Sequence, residues 1–168
     1  NNLMLTYDLG HYHQTESIAD KISSTLLYID KILLHVSRGV RWDSDHVVLL
    51  KDEILTLMQE IKRCDAFERV FIGLDFFDAS INRLCAWVIG SRAALKSILI
   101  ALLEPSNMLE VAENQGDYGT RLALGEEFKA MPWSAVWDMY CEQKNVPVGA
   151  DWLREVKQYE ADVLSKRV

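Results

Sequence analysis

Leu3-Met4-Leu5-Thr6-Tyr7, Ile32-Leu33-Leu34-His35-Val36 and Val70-Phe71-Ile72-Gly73-Leu74 are three short apolar runs separated by two amphipathic stretches. Near-continuous hydrophobicity over so short a length marks a parallel strand buried on both faces. Between the first two runs Ile18, Ile22 and Leu26 share a helical face, with Thr15 placed to cap it. Between the second and third, Asp52 opens a helix in which Ile54, Leu57, Met58 and Ile61 recur at i, i+3, i+4 and i+7. This alternation predicts parallel strands joined by helical crossovers, hence an α/β fold. Beyond Leu74, Asp78 is placed as the cap of a long helix that reaches about Leu103 and stops at Pro105. Its expected core side is Ile81, Leu84, Cys85, Val88 and Leu95. After Pro105 only helices are expected, with Trp133, Val136, Trp137 and Tyr140 on one stripe and Trp152, Val156 and Tyr159 on another. Three strands are too few to close a barrel, which needs about eight. The sheet is therefore either small and open or the last strands of a barrel. With an apolar strand beginning straight after Asn1-Asn2, the chain is expected to be the C-terminal part of a longer protein.

Composition narrows the classes. The 168 residues are 49% hydrophobic and 26% charged, an ordinary globular balance. A net charge of −7 argues against a nucleic-acid partner or an anionic membrane surface, which need clustered Lys and Arg. No charge-free stretch is long enough to span a bilayer; the best candidate, Ala93 to Leu103, is short and carries Lys96. Cys64, Cys85 and Cys141 are odd in number and fall in expected helices, so they read as reduced thiols of a cytoplasmic protein.

The chemistry gathers where the strands end. Asp8-Leu9-Gly10-His11, Trp42-Asp43-Ser44-Asp45-His46 and Leu74-Asp75-Phe76-Phe77-Asp78 each follow an apolar run or lie in the loop after it. Parallel sheets and barrels place catalytic groups at those carboxyl ends. Asp8 and His11, across a glycine turn, can reach one ion, although each alone reads as a turn residue. Asp43 and Asp45 alternate, so in an extended segment they project to one side, where two like charges repel unless a cation lies between them. The apolar flanks Trp42, Val47 and Val48 make a merely solvated loop uncomfortable. His35 in an apolar strand is more often a hydrogen-bonded core residue than a ligand. Asp75, between Leu74 and Phe76, is expected to be buried, which is costly for an unpaired carboxylate. Arg38 and Arg41 balance these carboxylates, touch a substrate oxygen or sit solvated. Carboxylates with imidazoles and no nearby thiol suit a hard or borderline divalent ion such as Mn²⁺ or Mg²⁺.

Asp8-Leu9-Gly10-His11-Tyr12-His13, His35-Val36-Ser37-Arg38, Val40-Arg41-Trp42-Asp43-Ser44-Asp45-His46-Val47-Val48-Leu49-Leu50 and Gly73-Leu74-Asp75-Phe76-Phe77-Asp78-Ala79-Ser80-Ile81-Asn82-Arg83 resemble the L-rhamnose isomerase family. The similarity continues through Ala86-Trp87-Val88-Ile89-Gly90, Ala101-Leu102-Leu103-Glu104-Pro105 and Pro132-Trp133-Ser134-Ala135-Val136-Trp137. Gly39, where that family has proline, is a departure that touches no ligand. The resemblance implies that residues 1–105 hold the last three strands of a (β/α)₈ TIM-type barrel. It makes residues 106–168 a helical extension with oligomer contacts, in a homotetramer. It further implies conversion of L-rhamnose to L-rhamnulose by a cytoplasmic enzyme with two Mn²⁺ per subunit, Mg²⁺, Co²⁺ or Zn²⁺ being alternatives. His11, Asp43 and Asp45 would hold the catalytic ion, and Asp8, His35 and Asp75 the second, with Asp8 also near the first. A further glutamate ligand of that family has no counterpart here, and Phe77 would line the sugar pocket. On this reading the chain alone is expected to be inactive. Two other readings stand beside it: a non-catalytic metal-binding or assembly module, and a related barrel isomerase or hydrolase with another substrate.

Overall fold

In a computed structural model, residues 4–13, 15–40 and 45–167 are described. The strands are β1 (Leu5–Asp8), β2 (Ile32–Val36) and β3 (Val70–Leu74), all parallel and in the order β1-β2-β3. The helices are α1 (Ala19–Leu26), α2 (Asp52–Arg63), α3 (Arg83–Leu102), α4 (Ser106–Asn114), α5 (Tyr118–Lys129), α6 (Trp133–Gln143) and α7 (Trp152–Asp162). The chain forms two compact units, Asn1–Lys129 and Ala130–Val168. The second holds α6 and α7, with Trp137, Cys141 and Val156 buried, and the Trp137 and Tyr140 rings stack at 5.6 Å.

The first unit is an open α/β layer. Ile32, Leu34 and Val36 are fully buried on one face of β2 and join a core with Ile22 of α1, Leu57, Met58 and Ile61 of α2, and Ala93, Ala94 and Ala101 of α3. Side chains alternate along a strand, so Leu33 and His35 point to the opposite face. The register pairs Asp8 with His35 and His35 with Gly73, so all three lie on that opposite face. It is the open one: Phe71 is 46% exposed there. Both crossovers and α3 thus feed one core while the chemistry-bearing face stays bare.

Some boundaries differ from expectation. β1 ends on Asp8 rather than Tyr7, and Leu3 lies outside the described residues. Thr15 caps no helix; its hydroxyl meets His13 Nδ1 at 2.7 Å, and α1 starts at Ala19 without a side-chain cap. Asn82, not Asp78, caps α3, accepting from Leu84 N–H at 2.7 Å. Asp78 instead takes the Ser80 N–H at 2.9 Å, and the Ser80 hydrogen bonds hold its carboxyl below the usual range. The core side of α3 also differs. Its buried residues are Ala86, Gly90, Ala93, Ala94, Ser97, Ile100 and Ala101, while Ile81 and Leu95 are exposed. At Gly90 the Phe76 ring leaves no room for a side chain: a Cβ there would overlap it. On length and composition α3 is apolar enough to cross a membrane, contrary to the expectation from Ala93 to Leu103, yet its Ala93, Ala94 and Ala101 are part of the core.

One buried charge fastens the end of α3 to α2. The Glu104 side chain is 2% exposed and takes a forked pair of hydrogen bonds from Arg63, at 2.9 and 2.6 Å. Gln59 donates to it at 2.8 Å and the Ser106 hydroxyl at 2.9 Å. Removing one partner strands a buried carboxylate. Arg63→Ala is expected to cost roughly 2–3 kcal/mol, below the usual cost because Gln59 and Ser106 remain as donors. Chemical denaturation checks it; an unchanged midpoint and slope contradict it.

Candidate metal centre

Strand register assembles the first half of the site. Asp8 and His35 are neighbours across β1 and β2, and Asp75 lies two residues beyond Gly73, returning to the same face of β3. Asp75 N–H bonds to Val36 O at 3.2 Å, which keeps the chain in line past the end of the strand. His35 Nδ1 then stands 3.5 Å from Asp8 Oδ2 and 3.4 Å from Asp75 Oδ2. The Asp75 side chain is 63% exposed, so the expected burial is wrong: β3 stops at Leu74, and the carboxylate points off the open face.

A loop closure supplies the second half. Arg38 and His46 form an antiparallel bridge with N–H to O distances of 2.9 and 3.1 Å, and Arg38 Nε donates to Val47 O at 3.0 Å. Arg38 is thus engaged with the backbone of this loop. Val47 and Val48 are buried beneath it, and Phe77 N–H bonds to Asp45 O at 3.1 Å. The loop therefore folds back over the strand ends and carries Asp45 there. After β1 comes one 3-10 turn, Leu9–His11, held by the Gly10 N–H on Asp8 Oδ1 at 3.1 Å. It swings His11 Nε2 to 3.7 Å from Asp8 Oδ2 and 3.9 Å from Asp45 Oδ2. Asp43, with Arg41 and Trp42, lies outside the described residues. The Phe77 ring is 64% exposed. Beside the turn, burial pushes the Tyr12 phenol up, and the ring packs edge-on to Tyr7.

Two donor groups result, Asp8/His11/Asp45 and Asp8/His35/Asp75, each with its donor atoms within 4.8 Å of one another. Separations of 3.4–3.9 Å are too long for good hydrogen bonds. They match the spacing of ligands around one ion at metal–oxygen distances of about 2.0–2.6 Å. Neither group contains a thiol, so the donors are the oxygen and imidazole set of a hard or borderline divalent cation. The residues fit such an ion, and Asp8 is common to both groups. Sequence reasoning read Gly10 only as the turn between Asp8 and His11, and did not single out Ser37. Both are buried, and Asp45 Oδ1 and Ser37 Oγ both crowd the space a Gly10 Cβ would take, a close approach that no sequence spacing reveals.

The family model described as L-rhamnose isomerase (RhaA) matches residues 1–167. The L-rhamnose isomerase of Mannheimia succiniciproducens is 61% identical over 164 residues, 98% of this chain and 39% of the relative. Those of an Escherichia coli strain and of Citrobacter koseri are each 58% identical over 163 residues, 97% of this chain and again 39% of the relative. The chain thus spans about two fifths of the length of these curated relatives. With a match running nearly end to end, the chain belongs to the L-rhamnose isomerase family.

Proposed function

We propose that this chain is the C-terminal, metal-bearing part of a cytoplasmic isomerase that converts L-rhamnose to L-rhamnulose. The observation that carries the reading is the pair of donor groups sharing Asp8 at the ends of three parallel strands, in a chain of this family. Sequential strand order with helices packed on one core face and a bare opposite face supports reading the open sheet as a section of barrel wall. On this reading residues 1–105 hold the last three strands of a (β/α)₈ barrel. Residues 106–168 are a helical extension that contributes to a homotetramer.

His11, Asp43 and Asp45 would hold a catalytic Mn²⁺, and Asp8, His35 and Asp75 a second ion, with Asp8 reaching both. Such an ion, when bound, supplies positive charge that polarises the sugar carbonyl and makes neighbouring hydroxyl protons more acidic. The chain's own residues do the rest. Four carboxylates, Asp8, Asp43, Asp45 and Asp75, set the charge, the two imidazoles add nitrogen donors, and the Arg38–His46 bridge with the Phe77 N–H fixes Asp45. Phe77 offers an apolar wall to the sugar. Aldose–ketose exchange moves hydrogen between C1 and C2, and one proton leaves a hydroxyl and returns to the other oxygen, so the site has to orient both oxygens.

The test is a graft: replace the matching segment of the Mannheimia enzyme with residues 1–168 and assay ketose formation from L-rhamnose. Turnover within about tenfold of the parent, a barrier difference of about 1.4 kcal/mol, supports the reading. A folded, Mn²⁺-loaded graft without turnover contradicts it.

In the same graft Asp75→Asn is expected to remove one bound ion per chain and to lower the melting temperature. Binding energy available only to the folded state is folding energy. Elemental analysis with calorimetry checks both; two ions and an unchanged melting temperature contradict the assignment.

A further inference from the structure

Asp45 has a second oxygen that the donor group leaves over. Its Oδ2 faces His11, whereas Oδ1 is buried and has no hydrogen-bond partner among the described residues. The Ser37 hydroxyl is in the same position: the residue is 6% exposed and Oγ is unpaired among the described residues. Both atoms crowd on Gly10. A Cβ there would overlap Asp45 Oδ1, and it would lie 2.8 Å from the Asp45 carboxyl carbon and 2.9 Å from Ser37 Oγ. Gly10 is not among the glycines at positive φ, so close approach and not backbone conformation demands glycine here.

A buried carboxylate oxygen and a buried hydroxyl, both unpaired and meeting at one glycine, form an acceptor and a donor awaiting each other. We propose that Gly10 and Ser37 are positioning residues for Asp45. Gly10 makes room for the carboxylate, and once the ion is bound the Ser37 hydroxyl, unpaired in the metal-free chain, donates to Oδ1, so that Oδ2 is the oxygen presented to the ion. Outer groups of this kind orient a ligand and set how tightly it binds. The inference rests on the metal reading above and assigns the residues that aim one of its ligands.

The experiment uses the graft described above, with Mn²⁺ as the probe. Ser37→Ala is expected to weaken Mn²⁺ binding about tenfold, read from the electron paramagnetic resonance of the free ion. The melting temperature of the metal-free protein should stay level or rise, because the substitution removes an unpaired buried group. A merely structural serine moves these readouts the other way, with a lower metal-free melting temperature and unchanged affinity. Ser37→Thr, which keeps the hydroxyl, should recover most of the affinity. Affinity of Ser37→Ala within twofold of the unmutated graft, or a fall in its metal-free melting temperature, overturns the positioning role alone. An unmutated graft that takes up no Mn²⁺ overturns the metal reading and this inference with it.

Discussion

Asp45→Asn in the graft is expected to lower ketose formation by about a thousandfold while the protein stays folded. Two unit charges about 4 Å apart interact by about 4 kcal/mol at an effective dielectric constant near 20, and a divalent ion at closer range interacts more strongly. An asparagine keeps the shape of the side chain and gives up that charge. Four kcal/mol in the transition state is about three decades in rate. The backbone anchor from Phe77 N–H to Asp45 O survives the substitution, so loss of the fold does not confuse the result. Asp43→Asn is expected to behave alike, as the proposed ligand two residues earlier. Near-parental turnover with unchanged Mn²⁺ content in both variants would overturn the ligand assignment.

The 168-residue polypeptide by itself is expected to show no measurable isomerisation of L-rhamnose. Its three-stranded sheet leaves β1 and β3 each unpaired on one side among the described residues, and unpaired edges invite association. The face that bears Asp8, His35 and Asp75 also carries a half-exposed Phe71. A substrate pocket needs walls facing that side, and a barrel of about eight strands supplies them. Weak Mn²⁺ binding and self-association should accompany the inactivity. Turnover by the monomeric chain within about tenfold of the Mannheimia enzyme, a gap of about 1.4 kcal/mol, would contradict this.

What the sequence made legible follows from which forces act locally. β2 and β3 lie where their apolar runs put them, Ile32–Val36 and Val70–Leu74, because a continuous hydrophobic run bounded by polar residues has few other solutions. The buried face of α2 is likewise the one its spacing gives, Ile54, Leu57, Met58 and Ile61. α3 misled because periodicity weighs large side chains. There the buried face is made of Ala86, Gly90, Ala93 and Ala94, with the Phe76 ring seated on Gly90, and Leu95 is left outside. Asp75 misled for a related reason: its apolar neighbours suggested burial, but the strand ends one residue earlier. Within the site, Asp8, His11, Asp45 and Asp75 stood out as polar residues at or just beyond strand ends, whereas His35, inside its strand, read as a core residue until the family resemblance made it a ligand; the structure brings all five into two groups. Ser37 did not stand out, and Gly10 stood out only as a turn, since the crowding of Asp45 and Ser37 on Gly10 joins residues far apart in sequence.

The most direct measurement is anomalous diffraction from Mn²⁺-soaked crystals of the graft. Two anomalous peaks per chain are expected, one within coordination distance of Asp8, His11 and Asp45 and the other beside Asp8, His35 and Asp75, with Asp8 touching both. A single peak away from Asp8, or two ions neither of which it ligates, would contradict the shared-carboxylate centre on which the proposed function stands.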